Sequence, residues 1–164
     1  MGTELKIFVY GTLKRGFPNH ERYCKGLLRA EPACLTGRLF KLTAQIPVMM
    51  IPDDHVLVQG SADTSADMRL QEQFQSTLPR WEKSTPEGGY RKVYGELLYF
   101  GDPETRLPSM DFLEDFQPGK PSTYNRVLAS VMLQGGSETA AWVYVAGFDT
   151  QGLEEYEGEK WFPD

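Results

Sequence analysis

Short stretches rich in β-branched and aromatic residues recur along this chain, each closed by turn residues, and they outnumber the helical candidates. Leu5 to Tyr10 reads Leu-Lys-Ile-Phe-Val-Tyr and stops at Gly11, which predicts a strand carrying a turn at its C-terminal end. Further strands are expected at Gly37 to Leu42, Val56 to Gln59, Val93 to Phe100, Tyr124 to Leu133 and Thr139 to Ala146. A strand-heavy order with a few interspersed helices points to an α+β fold. With 164 residues the chain is expected to form one domain over 1–164, able to bury a core without disulfides or metals.

Two helices are expected outside the sheet. Asn19 can cap one that runs through Glu21, Arg22, Tyr23, Cys24, Leu27 and Leu28. The second lies in a polar excursion between Pro52 and Tyr90, taken as an insertion at about 53–89. There Thr64-Ser65-Ala66-Asp67 resembles a capping box, and Leu70, Phe74 and Leu78 recur at helical spacing before Pro79. That apolar stripe over Ser65 to Leu78 either packs on the sheet or covers a site as a lid, and most such stripes face a core.

Charge and targeting signals narrow the partners. Seventeen Lys and Arg against 23 Asp and Glu give a net charge of -6, which repels nucleic acid and anionic membranes and leaves small molecules or proteins as partners. Cys24 and Cys34 fit neither a C-x-x-C pair nor a zinc knuckle and read as reduced thiols, so a cytoplasmic location is expected. The first residues lack a signal-peptide pattern, Lys6 stands where myristoylation needs Ser or Thr, and no stretch is apolar enough to span a bilayer.

Most chemical motifs are missing. There is no G-x-S-x-G elbow, and His20 and His55 belong to no metal-binding spacing; Asp53-Asp54-His55 reads as a solvated turn, so no metal is expected. Gly119-Lys120-Pro121-Ser122 imitates a phosphate loop only in part, with proline between the Lys and Ser. Two features remain. In Tyr10-Gly11-Thr12-Leu13, glycine permits close approach of the backbone to a ligand, and successive N–H groups can hold a carboxylate or oxyanion; taken alone, these residues read better as a plain strand-ending turn. In Ser109 to Phe116, a short helical stretch, Glu114 lies about 40° from Met110 on a helical wheel, nearer the apolar side than Asp111 or Asp115. A carboxyl placed there loses solvation and gains a pKa suited to proton transfer; the alternative is a solvated boundary acid.

The two features together resemble the gamma-glutamylcyclotransferase-like family, in which a Tyr-Gly-(Ser/Thr)-Leu loop follows the first strand and a Leu-Asp-x-x-Glu-Gly segment leads into Tyr-x-Arg. Here the loop stands intact, and the later segment reads Met110-Asp111-Phe112-Leu113-Glu114-Asp115 before Tyr124-Asn125-Arg126. Ile46-Pro47-Val48, Val93-Tyr94-Gly95-Glu96-Leu97 and Trp142-Val143-Tyr144 are similar to intermediate and late landmarks in the same order. The resemblance implies a mixed, largely closed β-barrel flanked by a few helices, and a gamma-glutamyl amine or amino acid as substrate, cyclised to 5-oxoproline without a cofactor. It implies Glu114 as general acid/base, with Tyr10, Gly11, Thr12, Leu13, Tyr124, Arg126 and Tyr144 around the substrate. A non-catalytic binding module on the same barrel, or an amide hydrolase using Glu114 to activate water, are the alternatives. Asp115 stands where the family has glycine, and as a second acid it is expected to raise the Glu114 pKa further.

Overall fold

The computed structural model describes residues 3–11, 13–14, 18–43, 46–78 and 88–158. Along them run β1 (Leu5–Val9), α1 (Pro18–Tyr23), β2 (Arg29–Thr43), β3 (Ile46–Met50), a 3-10 turn (Asp53–His55), β4 (Val58–Gln59), α2 (Thr64–Gln75), β5 (Arg91–Phe100), α3 (Pro103–Leu113), β6 (Tyr124–Leu133), β7 (Glu138–Ala146) and β8 (Glu154–Tyr156). Five strands close on themselves in the order β2-β5-β1-β7-β6, because β6 returns to β2 through Ala33↔Leu133 and Cys34↔Met132. The β1–β7 pair is parallel and the other barrel pairs are antiparallel, so the barrel is mixed. With its flanking helices this is the expected α+β barrel.

Strand alternation sorts the apolar residues into two layers. Phe8, Leu97, Val127, Ala141 and Val143 fill the barrel interior. Their neighbours Ile7, Leu98, Leu128 and Trp142 point the other way and pack with Leu107 and Met110 of α3. Both faces of the central strands are therefore buried, and each Val, Leu, Ile or Phe among these side chains contributes about 1.5–3 kcal/mol.

β2 is the longest strand because it serves two sheets. It pairs with β5 as far as Gly37↔Arg91, then with β3 from Arg38↔Met50 onward. A Cβ at Gly37 would lie 2.9 Å from both Met49 Sδ and the Met50 carbonyl oxygen, so the strand can change partners there only without a side chain.

Several elements differ from expectation. β3 was absent from the expected strands because Pro47 interrupts its pattern; it pairs only with β2, an edge position that tolerates proline. β4 is shorter than Val56 to Gln59: the Val56 N–H closes the 3-10 turn on the Asp53 carbonyl, and the Leu57 N–H bonds the Leu128 carbonyl at 2.8 Å just before the ladder begins. In that turn Asp53 and Asp54 are exposed as expected, whereas His55 is buried and its pKa is lowered by desolvation. α1 stops at Tyr23 and not near Leu28: Gly26 takes φ 87°, and the Leu28 N–H already bonds the Tyr99 carbonyl beside the sheet. Asn19 falls inside α1 and is not its cap.

α2 packs on the barrel by a mixed face: Met68 joins the core with Phe74 and Leu78 against it, and polar Asp67 and Gln71 are the other buried residues. Its N-cap is Asp63, which accepts from the Ala66 N–H at 3.0 Å, and not Thr64. The buried residues are Asp67, Met68 and Gln71, while Leu70, Phe74 and Leu78 are only partly covered. β1 and β7 pair over only Ile7↔Trp142 and Phe8↔Val143, which leaves backbone groups unpaired where they diverge. The Gln71 side chain donates to the Glu4 carbonyl (2.8 Å) and accepts from the Lys6 N–H (3.2 Å), and Gln75 accepts from the Ala140 N–H (2.8 Å). α2 thus completes the hydrogen bonding that the divergent pair cannot make. No helix among the described residues is long and apolar enough to cross a membrane.

Candidate active site

A cavity of about 340 Å³ opens at the barrel end where β1 passes into the following loop. β1 supplies Phe8 and Val9, the loop supplies Tyr10, Gly11 and Leu13, and β3 supplies Ile46 and Pro47. Leu113, Glu114 and Asp115 enter from the end of α3, with Thr123 and Tyr124 from the start of β6 and Tyr144 from β7. Thr12 lies outside the described residues. A Cβ on Gly11 would come within 2.8 Å of Pro47 Cγ, so glycine here lets the loop sit against β3 and narrows the cavity between them.

The end of α3 sets the position of Glu114. Leu113 is the last helical residue, and the Glu114 N–H still reaches the Met110 carbonyl at 3.0 Å. The chain then reverses through Asp115, at φ 54°, whose N–H bonds the Phe112 carbonyl (3.2 Å) while the Phe116 N–H bonds the Asp111 carbonyl (2.8 Å). These two bonds form a Schellman motif, in which the left-handed residue is usually glycine. Aspartate is among the few other residues that adopt this conformation, at a cost of about 1 kcal/mol.

Glu114 lines the cavity. No described residue donates a hydrogen bond or offers a cation to it. Burial alone lifts its pKa from the usual carboxylate value to about 7. The expected contribution from Asp115 is absent, because Asp115 is exposed and accepts from Thr123 Oγ1 at 3.0 Å. A carboxyl half ionised near neutrality can both take and return a proton.

Three tyrosines surround it. Tyr10 donates its hydroxyl proton to the Tyr144 carbonyl (2.6 Å), and Tyr124 donates to the Pro47 carbonyl (2.6 Å). Tyr144 donates to Asp111 Oδ1 (2.6 Å). All three phenol pKa values are raised, chiefly by burial, and Glu114 adds to the rise in each.

Arg126 does not line the cavity. Its side chain is 1% exposed, and its Nε and Nη2 bond the two Asp111 oxygens at 2.8 and 3.1 Å while Nη1 bonds Asp67 at 2.9 Å. Its guanidinium also lies 4.7 Å from the Trp142 ring. It joins α2 and α3 to the barrel wall, and its link to the cavity runs through Asp111 and Tyr144. On the helical wheel Asp111 lies farther from the apolar side than Glu114, and its partner is fifteen residues on and across the fold. His20 was also passed over: its Nδ1 lies 2.8 Å from the Leu13 carbonyl, which bonds α1 to the loop.

Barrel and cavity together define a small α+β protein with an acidic pocket at one barrel end. The chain belongs to the family described as "Gamma-glutamyl cyclotransferase, AIG2-like", whose sequence model matches residues 7–72 and 77–163. Solved structures agree on the fold. An AIG2-like protein from Mus musculus superposes with a TM-score of 0.55 at 22% identity, over 98% of this chain and 89% of its own. YkqA from Bacillus subtilis gives a TM-score of 0.56 at 19% identity over 97% of this chain, which spans only 40% of YkqA. No curated protein matches in sequence.

Proposed function

We propose that the chain is a cyclotransferase-type enzyme that converts a gamma-glutamyl amine or gamma-glutamyl amino acid to 5-oxoproline and the free amine. The observation that carries this reading is Glu114: a carboxyl with no partner among the described residues and a pKa of about 7, in a cavity beside a glycine-containing loop. Family membership supports the reaction class.

In the reaction the substrate α-amine attacks its own γ-carbonyl carbon. An N–C bond forms, the bond to the leaving nitrogen breaks, and no redox partner takes part. Ionised Glu114 takes a proton from the amine, which is mostly ammonium at neutral pH, and returns a proton to the leaving nitrogen. The substrate must fold so that nitrogen meets carbonyl carbon, and confinement in the cavity supplies this positioning. The N–H groups of Gly11 and Leu13 are suited to hold substrate oxygens, with the Lys14 N–H turned back onto the Gly11 carbonyl at 3.1 Å.

Incubation with gamma-glutamyl amines, amino acids and peptides, followed by mass spectrometry, tests the reading. 5-Oxoproline is the expected product, and kcat/KM is expected to rise through an apparent pKa near 7 as Glu114 ionises. Glu114→Gln is expected to lose about 10²–10⁴-fold in turnover. Undiminished turnover in that variant would remove Glu114 from the mechanism. Free glutamate as product would indicate hydrolysis, and binding without any product would indicate a binding module.

A further inference from the structure

The loop and the acid come to the cavity from separate stretches of chain: the loop follows β1, and Glu114 closes α3. The β1–β5 ladder stops at Val9↔Glu96, so the loop lies beyond its hold. Its anchor comes from α1. His20 Nδ1 lies 2.8 Å from the Leu13 carbonyl oxygen, and because a carbonyl can only accept, Nδ1 carries the proton and donates it there. Cys24, just past α1, brings its Sγ to 4.0 Å from the same oxygen. The Lys14 N–H belongs to the same peptide unit as that carbonyl and bonds the Gly11 carbonyl at 3.1 Å. The Leu13–Lys14 peptide plane is therefore held at both edges.

α1 is fixed in turn to α3. Arg106, on α3 and largely buried, donates from Nη1 to the Tyr23 carbonyl at 2.8 Å and from Nη2 to the Lys25 carbonyl. Asp102, at the start of the same helix, holds the guanidinium at 3.2 Å, and the Phe100 ring lies 4.4 Å beneath it. We propose that His20 is a positioning residue: from an α1 fastened to the helix that carries Glu114, its Nδ1–H sets the substrate loop against the acid/base. The role rests on the gamma-glutamyl reading above for what the loop grips. Leu13 is buried, so a carbonyl deprived of this donor must turn toward water to regain a partner. That rotation swings the Lys14 N–H off Gly11 and slackens the loop whose N–H groups face the substrate.

Three replacements test this. His20→Asn keeps a donor nitrogen bonded to Cγ, where Nδ1 stands; His20→Gln places its donor one bond farther out, and His20→Leu has none. Turnover is measured on the gamma-glutamyl panel above. His20→Leu and His20→Gln are expected to lose about three- to tenfold in kcat/KM, through KM, because a loop gripping oxygens present throughout the reaction contributes uniform binding. His20→Asn is expected to recover most of that loss, which packing alone would not do, since leucine fills the same space. Amide hydrogen exchange reads the anchor without activity: the Lys14 amide should exchange about three- to tenfold faster in His20→Leu and close to its original rate in His20→Asn. Unchanged exchange in β5 and β7 shows that a variant is folded, and whichever of the Leu and Gln variants fails this is set aside for the other. Equal KM in all variants, or equal impairment of His20→Asn and His20→Leu, overturns the positioning role. So does a loss confined to kcat, or loss of the pH limb near 7, which would make His20 a proton carrier. If the unsubstituted protein forms 5-oxoproline from none of the panel, the gamma-glutamyl reading falls, and Lys14 exchange alone decides whether His20 holds the loop.

Discussion

The two ends of α3's acidic segment treat a buried carboxyl in opposite ways. Asp111 is surrounded: Arg126 grips both its oxygens and Tyr144 donates to one of them. Glu114, three residues on, is desolvated but has no partner among the described residues, and its pKa rises to about 7. Pairing holds a charge in place and makes it structural, whereas withholding the partner leaves a proton available to exchange. The same helix end serves both because its last turn faces the barrel wall with Asp111 and the cavity with Glu114.

Breaking the paired side should have the largest effect. Arg126→Met leaves Asp67 and Asp111 buried without their cation, and a loss of about 3–5 kcal/mol is expected in denaturant unfolding. A loss below 1 kcal/mol would mean that the network is not what fastens α2 and α3 to the barrel.

Relieving the unpaired side should have the opposite sign. The folded pKa of Glu114 lies above its unfolded value, so between about pH 4.5 and 7 the folded state binds more protons and loses stability as pH rises. Glu114→Gln removes that loss. Its advantage is expected to be absent below pH 4, to grow through this window, and to level off above pH 7 at about 2 kcal/mol, the full linkage being reduced by the opening to the cavity. A pH-independent difference in unfolding free energy would contradict a raised pKa.

Asp115 gives the smallest and most discriminating change. Asp115→Gly relieves the left-handed backbone at φ 54° but gives up the bond from Thr123, so a net gain of about 0.5–1 kcal/mol is expected. Because burial and not Asp115 raises Glu114, the apparent pKa in the rate profile should remain near 7. A fall by a full unit would show that the two acids are coupled after all.

Much of the fold is legible along the chain. β1, β5, β6 and β7 follow from runs of β-branched and aromatic residues, and the turn after β1 follows from Gly11. α2 is legible as a helix but only partly in how it packs, since its spacing of Leu70, Phe74 and Leu78 advertises an apolar face, and Phe74 and Leu78 do meet the core, while polar Asp67 and Gln71 are buried beside Met68. Glutamines that repair a divergent strand pair leave no periodic signal, because their partners are backbone groups more than sixty residues away. Arg126 was placed at the site for a related reason. Two residues past Tyr124 it shares that residue's face of β6, but it lies one step further along the strand, where two helices bring their carboxylates.

By itself, then, the sequence determined the strands, the loop that follows the first of them, and a glutamate on the apolar side of a short helix, because these depend on residue type and on spacing within a few turns. Closure of β6 onto β2, the pairing of Arg126 with two helices and the fixed direction of three tyrosine protons were decided only by the tertiary structure. So was the pKa of Glu114: desolvation belongs to the surroundings of a group and not to the group, and those surroundings are assembled from β1, β3, α3, β6 and β7.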